Sequence, residues 1–146
     1  MPPIYEHHHR VRTEEIDGLG HVNNVVYFNW MIAAALAHSR AQGWPDEAYL
    51  ERGAGWVVRA HQITYVKPAM PDDTILVRTW VARHGRVTSL RRYRILRGSD
   101  GALLARAATE WAFVDFGTLR PLRIPEEVMG SFDVLGDEPP DVERLG

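Results

Sequence analysis

Cysteine is absent from the 146 residues, which removes disulfides, thiolate nucleophiles and every zinc site built on sulfur. Lysine is nearly absent too: Lys67 stands alone, and the rest of the positive charge is arginine. No apolar run is long enough to span a bilayer. Met1-Pro2-Pro3-Ile4-Tyr5-Glu6 lacks the basic and apolar regions of a signal peptide, so a cytoplasmic protein is expected. Repeats and low-complexity segments are missing. The pattern of a zinc finger, an RRM or a helix-turn-helix is missing as well, and neither nucleic acid nor membrane is expected as a partner.

What is present is a chain 45% hydrophobic and 25% charged, the composition of a globular domain with a full core. One domain over residues 1–132 is expected, followed by an acidic and flexible tail over 133–146. The net charge of −2 hides a strong local imbalance. Between Arg78 and Arg106 lie Arg83, Arg86, Arg91, Arg92, Arg94 and Arg97, against the single acid Asp100. The tail carries Asp133, Asp137, Glu138, Asp141 and Glu143 against Arg144. Arginine suits bidentate phosphate contacts, so the run reads either as a site for a polyanionic partner or as a solvated sheet face.

Residues 4–16 read as a first strand. His7-His8-His9 within it alternate between faces and so cannot converge on one metal, and no metal site is expected. Residues 24–41 read as a helix that is apolar on nearly every side, as expected of one surrounded by other structure. His38 and Arg40 in its last turn, then Gly43 and Pro45, mark its end. Strands are expected over 56–67, 74–83, 87–97 and 102–116, with a hairpin at His84-Gly85-Arg86. A short helix opening at Pro125 should follow. A sheet of five antiparallel strands and one apolar helix are best reconciled by curling the sheet around the helix. Such a sheet leaves an edge open, which a second copy would cover, giving a homodimer or a dimer of dimers.

The run Asp17-Gly18-Leu19-Gly20-His21-Val22-Asn23-Asn24 leads from the first strand into this helix. A carboxylate at a glycine-containing turn, next to the free N–H groups of a helix N-terminus, offers a base or nucleophile and donors for an oxyanion. A plain structural corner has the same composition, because Asp-Gly favours turns and Asn favours helix caps.

Asp17-x-x-Gly20-His21-Val22-Asn23-Asn24-x-x-Tyr27, with Arg12-Thr13-Glu14 before it and Ile63-Thr64-Tyr65-Val66-Lys67-Pro68-Ala69 later, resembles the hot-dog acyl-CoA thioesterases of the 4-hydroxybenzoyl-CoA thioesterase type. The resemblance covers about residues 4–132. It implies an α+β hot-dog fold and an acyl-CoA thioester hydrolase that needs no cofactor. It places Asp17 as the catalytic carboxylate and Asn24 as the backbone donor to the thioester carbonyl. His21 falls at a histidine of the same motif, with substrate contact or turn capping as its roles. Asn23 and Tyr27 become candidates for substrate binding, Tyr27 with a core position as the alternative. The related plant acyl-carrier-protein thioesterases carry an asparagine two residues after the aspartate, where this chain has Leu19. Arg86, with Ser89 nearby, is the candidate contact for CoA phosphates. A non-catalytic acyl-CoA binding or sensing module is the alternative, and either acyl-CoA or acyl-carrier protein would serve as substrate.

Overall fold

The computed structural model describes residues 3–145. Met1 and Pro2, part of the segment read as lacking a signal peptide, and Gly146, at the end of the acidic stretch, lie outside the described residues. Five antiparallel strands form one sheet in the order β1-β3-β4-β5-β2. These are β1 (Tyr5–Arg10), β2 (Ala54–Tyr65), β3 (Thr74–His84), β4 (Thr88–Arg97) and β5 (Leu103–Asp115). The sheet curls around α1 (Val26–Ala41), while α2 (Asp46–Arg52) and α3 (Glu126–Met129) are short. The architecture is the α+β hot-dog arrangement, and among the described residues no helix is long and apolar enough to cross a membrane.

The first strand is shorter than its sequence suggests. It stops at Arg10, and Thr13–Glu15 wind into a 3-10 turn, because the Glu15 carboxylate reaches back to the Arg12 N–H (2.8 Å). That reciprocal cap holds the chain out of the sheet just before Asp17.

The central helix is buried along one stripe only. Tyr27, Trp30, Met31, Ala34, Ala35 and His38, at helical spacing, face the sheet. There they pack on Ile75, Val77, Tyr93, Ile95, Ala105 and Ala107. The opposite side is also apolar, yet Val25 is exposed and Leu36 is 44% exposed. The expectation of a helix enclosed on all sides is therefore corrected: one chain covers half of it, and sequence periodicity could not reveal this because both halves are apolar.

The convex face of the sheet carries the arginines, and the acidic stretch lies across it. Arg94 is 1% exposed and pairs with Glu138 and Glu143 (both 2.7 Å). Arg106 also reaches Glu143 (2.7 Å), and Arg92 and Arg83 share Asp137 (2.9 and 3.1 Å). Arg78 pairs with Glu6 (2.8 Å) and donates to the carbonyls of Val142 and Arg144. Trp80 Nε1–H donates to the Gly136 carbonyl (2.9 Å), and Val142 is buried. The polyanion-site reading of the arginine run does not survive for these residues, because the chain supplies their counter-charges itself. The solvated-face reading holds for Arg83 and Arg106, which stay exposed, but not for the buried Arg78 and Arg94.

Candidate functional site

Asp17 sits at a tight corner closed by its own backbone. Its N–H donates to the His21 carbonyl (2.8 Å), and the Gly20 N–H donates to the Asp17 carbonyl (3.2 Å). Gly20 has φ +83°, the left-handed conformation that L side chains resist, whereas Gly18 has ordinary φ and open space around it. Only the second glycine is required by the turn. It brings the Leu19 and His21 N–H groups onto Asp17 Oδ1 (2.9 and 3.3 Å). Among the described residues Oδ2 accepts no hydrogen bond, and the residue is half-buried. One oxygen is thus fixed and the other is presented outward.

The helix entrance follows at once. Asn23 Oδ1 accepts the Val25 N–H (3.0 Å), and the Asn23 carbonyl accepts the Val26 N–H (2.9 Å), so this asparagine shapes the first turn. Asn24 is anchored through its carbonyl by the Tyr65 hydroxyl (2.7 Å), while its N–H has no acceptor among the described residues. The His21 side chain is exposed beside the turn.

Both sequence motifs meet here. The Val22 N–H donates to the Ala69 carbonyl (3.0 Å), and the Tyr27 hydroxyl accepts the Ala69 N–H (2.9 Å). Tyr27 is 1% exposed, pressed between Trp30 and Tyr65. It is sealed from substrate, so the substrate-binding reading of Tyr27 gives way to a positioning one.

Glu15 was not visible as a functional residue, although the adjoining Arg12-Thr13-Glu14 belongs to the motif. Its carboxylate accepts from His9 Nε2 (2.8 Å), the Arg12 N–H (2.8 Å) and Trp30 Nε1–H (3.1 Å). Its carbonyl accepts the Asn23 N–H (2.9 Å). Burial alone would raise its pKa, but these donors together hold it below the usual carboxylate value. One side chain thereby ties β1, the Asp17 corner and α1 together. His9 is engaged in this way while His8 points to solvent, the alternation expected of a strand.

A pocket of about 250 Å³ opens at the other end of α1. Its walls include Ala35, Tyr49, Trp56, Trp111 and Phe132, with Ser89 and Arg91 from β4. Ser89 is buried there, not on the surface beside the exposed Arg86, so the two phosphate candidates are separated. Arg91 Nη1 donates to His38 Nδ1 and to Thr79 Oγ1 (both 3.0 Å). Burial first, and the neighbouring guanidinium second, push the His38 pKa down to about 3. His38 is therefore a neutral acceptor, and only Arg40 remains as a cation in the last helical turn.

The sequence matches the thioesterase-like superfamily over residues 11–132. An acyl-CoA thioesterase, YbgC of Haemophilus influenzae, is 29% identical over 127 residues, covering 86% of this chain and 92% of that protein. A chloroplastic palmitoyl-acyl carrier protein thioesterase of Cuphea hookeriana is 26% identical over 96% of this chain. The chain spans only about a third (35%) of that plant protein's length. Among solved structures, a hypothetical protein of Thermus thermophilus superposes with a TM-score of 0.81 at 29% identity, over 88% of this chain and 96% of the other.

Proposed function

The chain belongs to the thioesterase-like superfamily, and on that footing we propose that it hydrolyses acyl-CoA thioesters, with Asp17 as base or nucleophile and the Asn24 N–H as oxyanion donor. One observation carries the reading: Asp17 Oδ1 is pinned by two backbone N–H groups while, among the described residues, Oδ2 and the Asn24 N–H are left without partners at the same corner. A thioester is already activated, so a carboxylate and a well-aimed N–H are sufficient machinery. Either water adds to the carbonyl carbon as Asp17 takes its proton and the thiolate leaves, or Asp17 first displaces the thiolate to form an anhydride that water then cleaves. Both routes release the carboxylic acid and protonated CoA and restore the Asp17 carboxylate. A preorganised donor at the oxyanion is worth about 10²–10³ in rate. The substrate carrier is assigned as CoA because the bacterial relative of matching length bears an acyl-CoA name, whereas the carrier-protein relatives are about three times longer.

The working unit in this reading is a homodimer, alone or as a dimer of dimers. β2 lies at the sheet edge, with Val57, Val58, Tyr65 and Val66 partly or largely exposed beside the bare side of α1. Within one chain the Asp17 corner adjoins Tyr65, at one end of β2, whereas the pocket adjoins Trp56, nine residues or ~30 Å away. Antiparallel pairing of two β2 edges about a twofold axis carries each corner to the other copy's pocket. Arg86 lies at the hairpin on the pocket side of the sheet, and it contributes to CoA phosphate binding from there.

Free-thiol release from a panel of acyl-CoAs tests the activity, and Asp17→Asn tests the residue. The variant keeps the turn, since asparagine caps as well as aspartate, but lacks both basicity and nucleophilicity. The rate constant kcat should fall by at least ~10²–10⁴ with an unchanged melting temperature. A stable variant with native turnover would refute the assignment.

A further inference from the structure

Of the arginines on the inner and outer faces of β3, β4 and β5, Arg91 is set apart by its environment. Arg78, Arg83, Arg92, Arg94, Arg97 and Arg106 each have a carboxylate within salt-bridge distance. Arg91 is 6% exposed, on the concave face, and among the described residues it has no carboxylate partner. Its Nη1 is taken by His38 and Thr79, and Phe132 lies over the guanidinium at 6.0 Å. Nε and Nη2 have no acceptor among the described residues, and the residue lines the pocket. Asp46, in the first turn of α2, is the acid at the pocket wall, and it is exposed and forms no ion pair with Arg91.

A buried cation without a counter-ion is costly, and proteins ordinarily pair it or neutralise it. Here the remaining walls are mostly aromatic and aliphatic, with Ser89 adding a hydroxyl on the same face of β4 and Ser39, whose hydroxyl donates to the Trp44 carbonyl, adding another from α1. Two unused donors of one planar fork match the two oxygens of a carboxylate. A cavity of ~150 Å³ holds a benzene ring, so the 250 Å³ present accommodates a single ring or a short chain bearing a small polar group.

We propose that this pocket selects acyl groups carrying a carboxylate at the end remote from the thioester, with Arg91 as the recognising cation. The proposal rests on the hydrolase reading above. A neutral acyl group of equal size would cover the guanidinium without replacing its lost hydration, so discrimination comes from both attraction to the right group and penalty for the wrong one.

The test compares 4-carboxybenzoyl-CoA with 4-methylbenzoyl-CoA for turnover, and the two free acids, 4-carboxybenzoate and 4-methylbenzoate, for binding by calorimetry. Wild-type protein should prefer the carboxylate by about 10- to 100-fold in kcat/KM, the range of a charge-assisted hydrogen bond. Arg91→Met should abolish that preference and raise the melting temperature, because a buried unpaired charge is exchanged for an apolar chain of similar length. Arg91→Lys, which keeps the charge without the fork, should retain a reduced preference, and it serves if the methionine variant does not fold. Equal turnover of both thioesters, unaffected by either substitution, overturns the proposal while leaving the hydrolase intact. Arg91-dependent binding of 4-carboxybenzoate without any thioester cleavage removes the hydrolase and leaves the carboxylate site standing. Failure of both binding and cleavage overturns both.

Discussion

Replacing Glu15 with alanine probes whether the Asp17 corner is held from behind. The Glu15 side chain is 13% exposed and takes hydrogen bonds from His9, the Arg12 N–H and Trp30 Nε1–H. Hydrogen bonds to a charged acceptor contribute ~1.5–3 kcal/mol each when well buried, but Arg12 lies at the surface, where water replaces the lost partner. The variant should therefore lose about 2–4 kcal/mol, most of it at Trp30 and His9, which is a fall of ~5–15 °C in Tm for a domain of this size. Activity should drop beyond this, because the Glu15 carbonyl also fixes Asn23 and Asp17 follows two residues later. About tenfold in kcat, with little change in KM, is expected from a misplaced carboxylate. Glu15→Gln, which keeps an acceptor oxygen, should recover part of both losses. A second signature comes from pH. The carboxylate's pKa is held below its ordinary value of 4.5, so its stabilisation is complete above that value and is lost as pH falls through the lowered one. Thermal melts from pH 6 to 3 should show this acid loss in wild type and a shallower profile in Glu15→Gln. Alanine and wild-type proteins with the same Tm and turnover would refute the reasoning.

Mixing two inactive variants tests the shared site. Asp17→Asn and Ser89→Phe, the latter filling the pocket, should each be inactive alone. After exchange of subunits, about a quarter of wild-type activity should return, since half the dimers are mixed and each holds one intact site. No recovery from variants shown to exchange would place corner and pocket in the same chain. His38 supplies a separate pH effect. Its pKa of about 3 lies below the ordinary histidine value of 6.5, so the unfolded chain binds a proton first as pH falls. Stability should decline from about pH 6.5 downward by up to ~1.4 kcal/mol per pH unit. His38→Asn, whose amide oxygen can accept from Arg91, should remove this component of the slope in denaturant titrations, and an unchanged slope would assign it elsewhere.

The order of elements and the motif at Asp17 were legible because both are local. A turn glycine, a helix-capping asparagine and the period-two strands leave their marks within a few residues of one another. The strand-like residues 11–16 misled because Glu15 bonds backward to Arg12, a side-chain choice that β-propensity does not register. Tyr27 and Ser89 were candidates for substrate contact, yet Tyr27 takes the core position that was its alternative, and Ser89 is buried in the pocket wall while Arg86 is exposed. The bare side of α1 was invisible for a different reason: apolar residues facing a partner and apolar residues facing a core are written with the same letters. The arginine run was misjudged because its counter-charges lie 37 to 54 residues later for Arg83, Arg92, Arg94 and Arg106.

That long offset has a consequence for how the molecule is made. Synthesis is vectorial, so the arginines of β3, β4 and β5 leave the ribosome well before Asp137, Glu138 and Glu143. Until that segment docks, the outer face of the sheet is a bare cationic surface. The Arg94 side chain, almost wholly enclosed in the finished fold, then lacks both of its carboxylate partners. Laying residues 134–143 across the sheet supplies the missing carboxylates, so the outer face becomes neutral and closed in a single docking step.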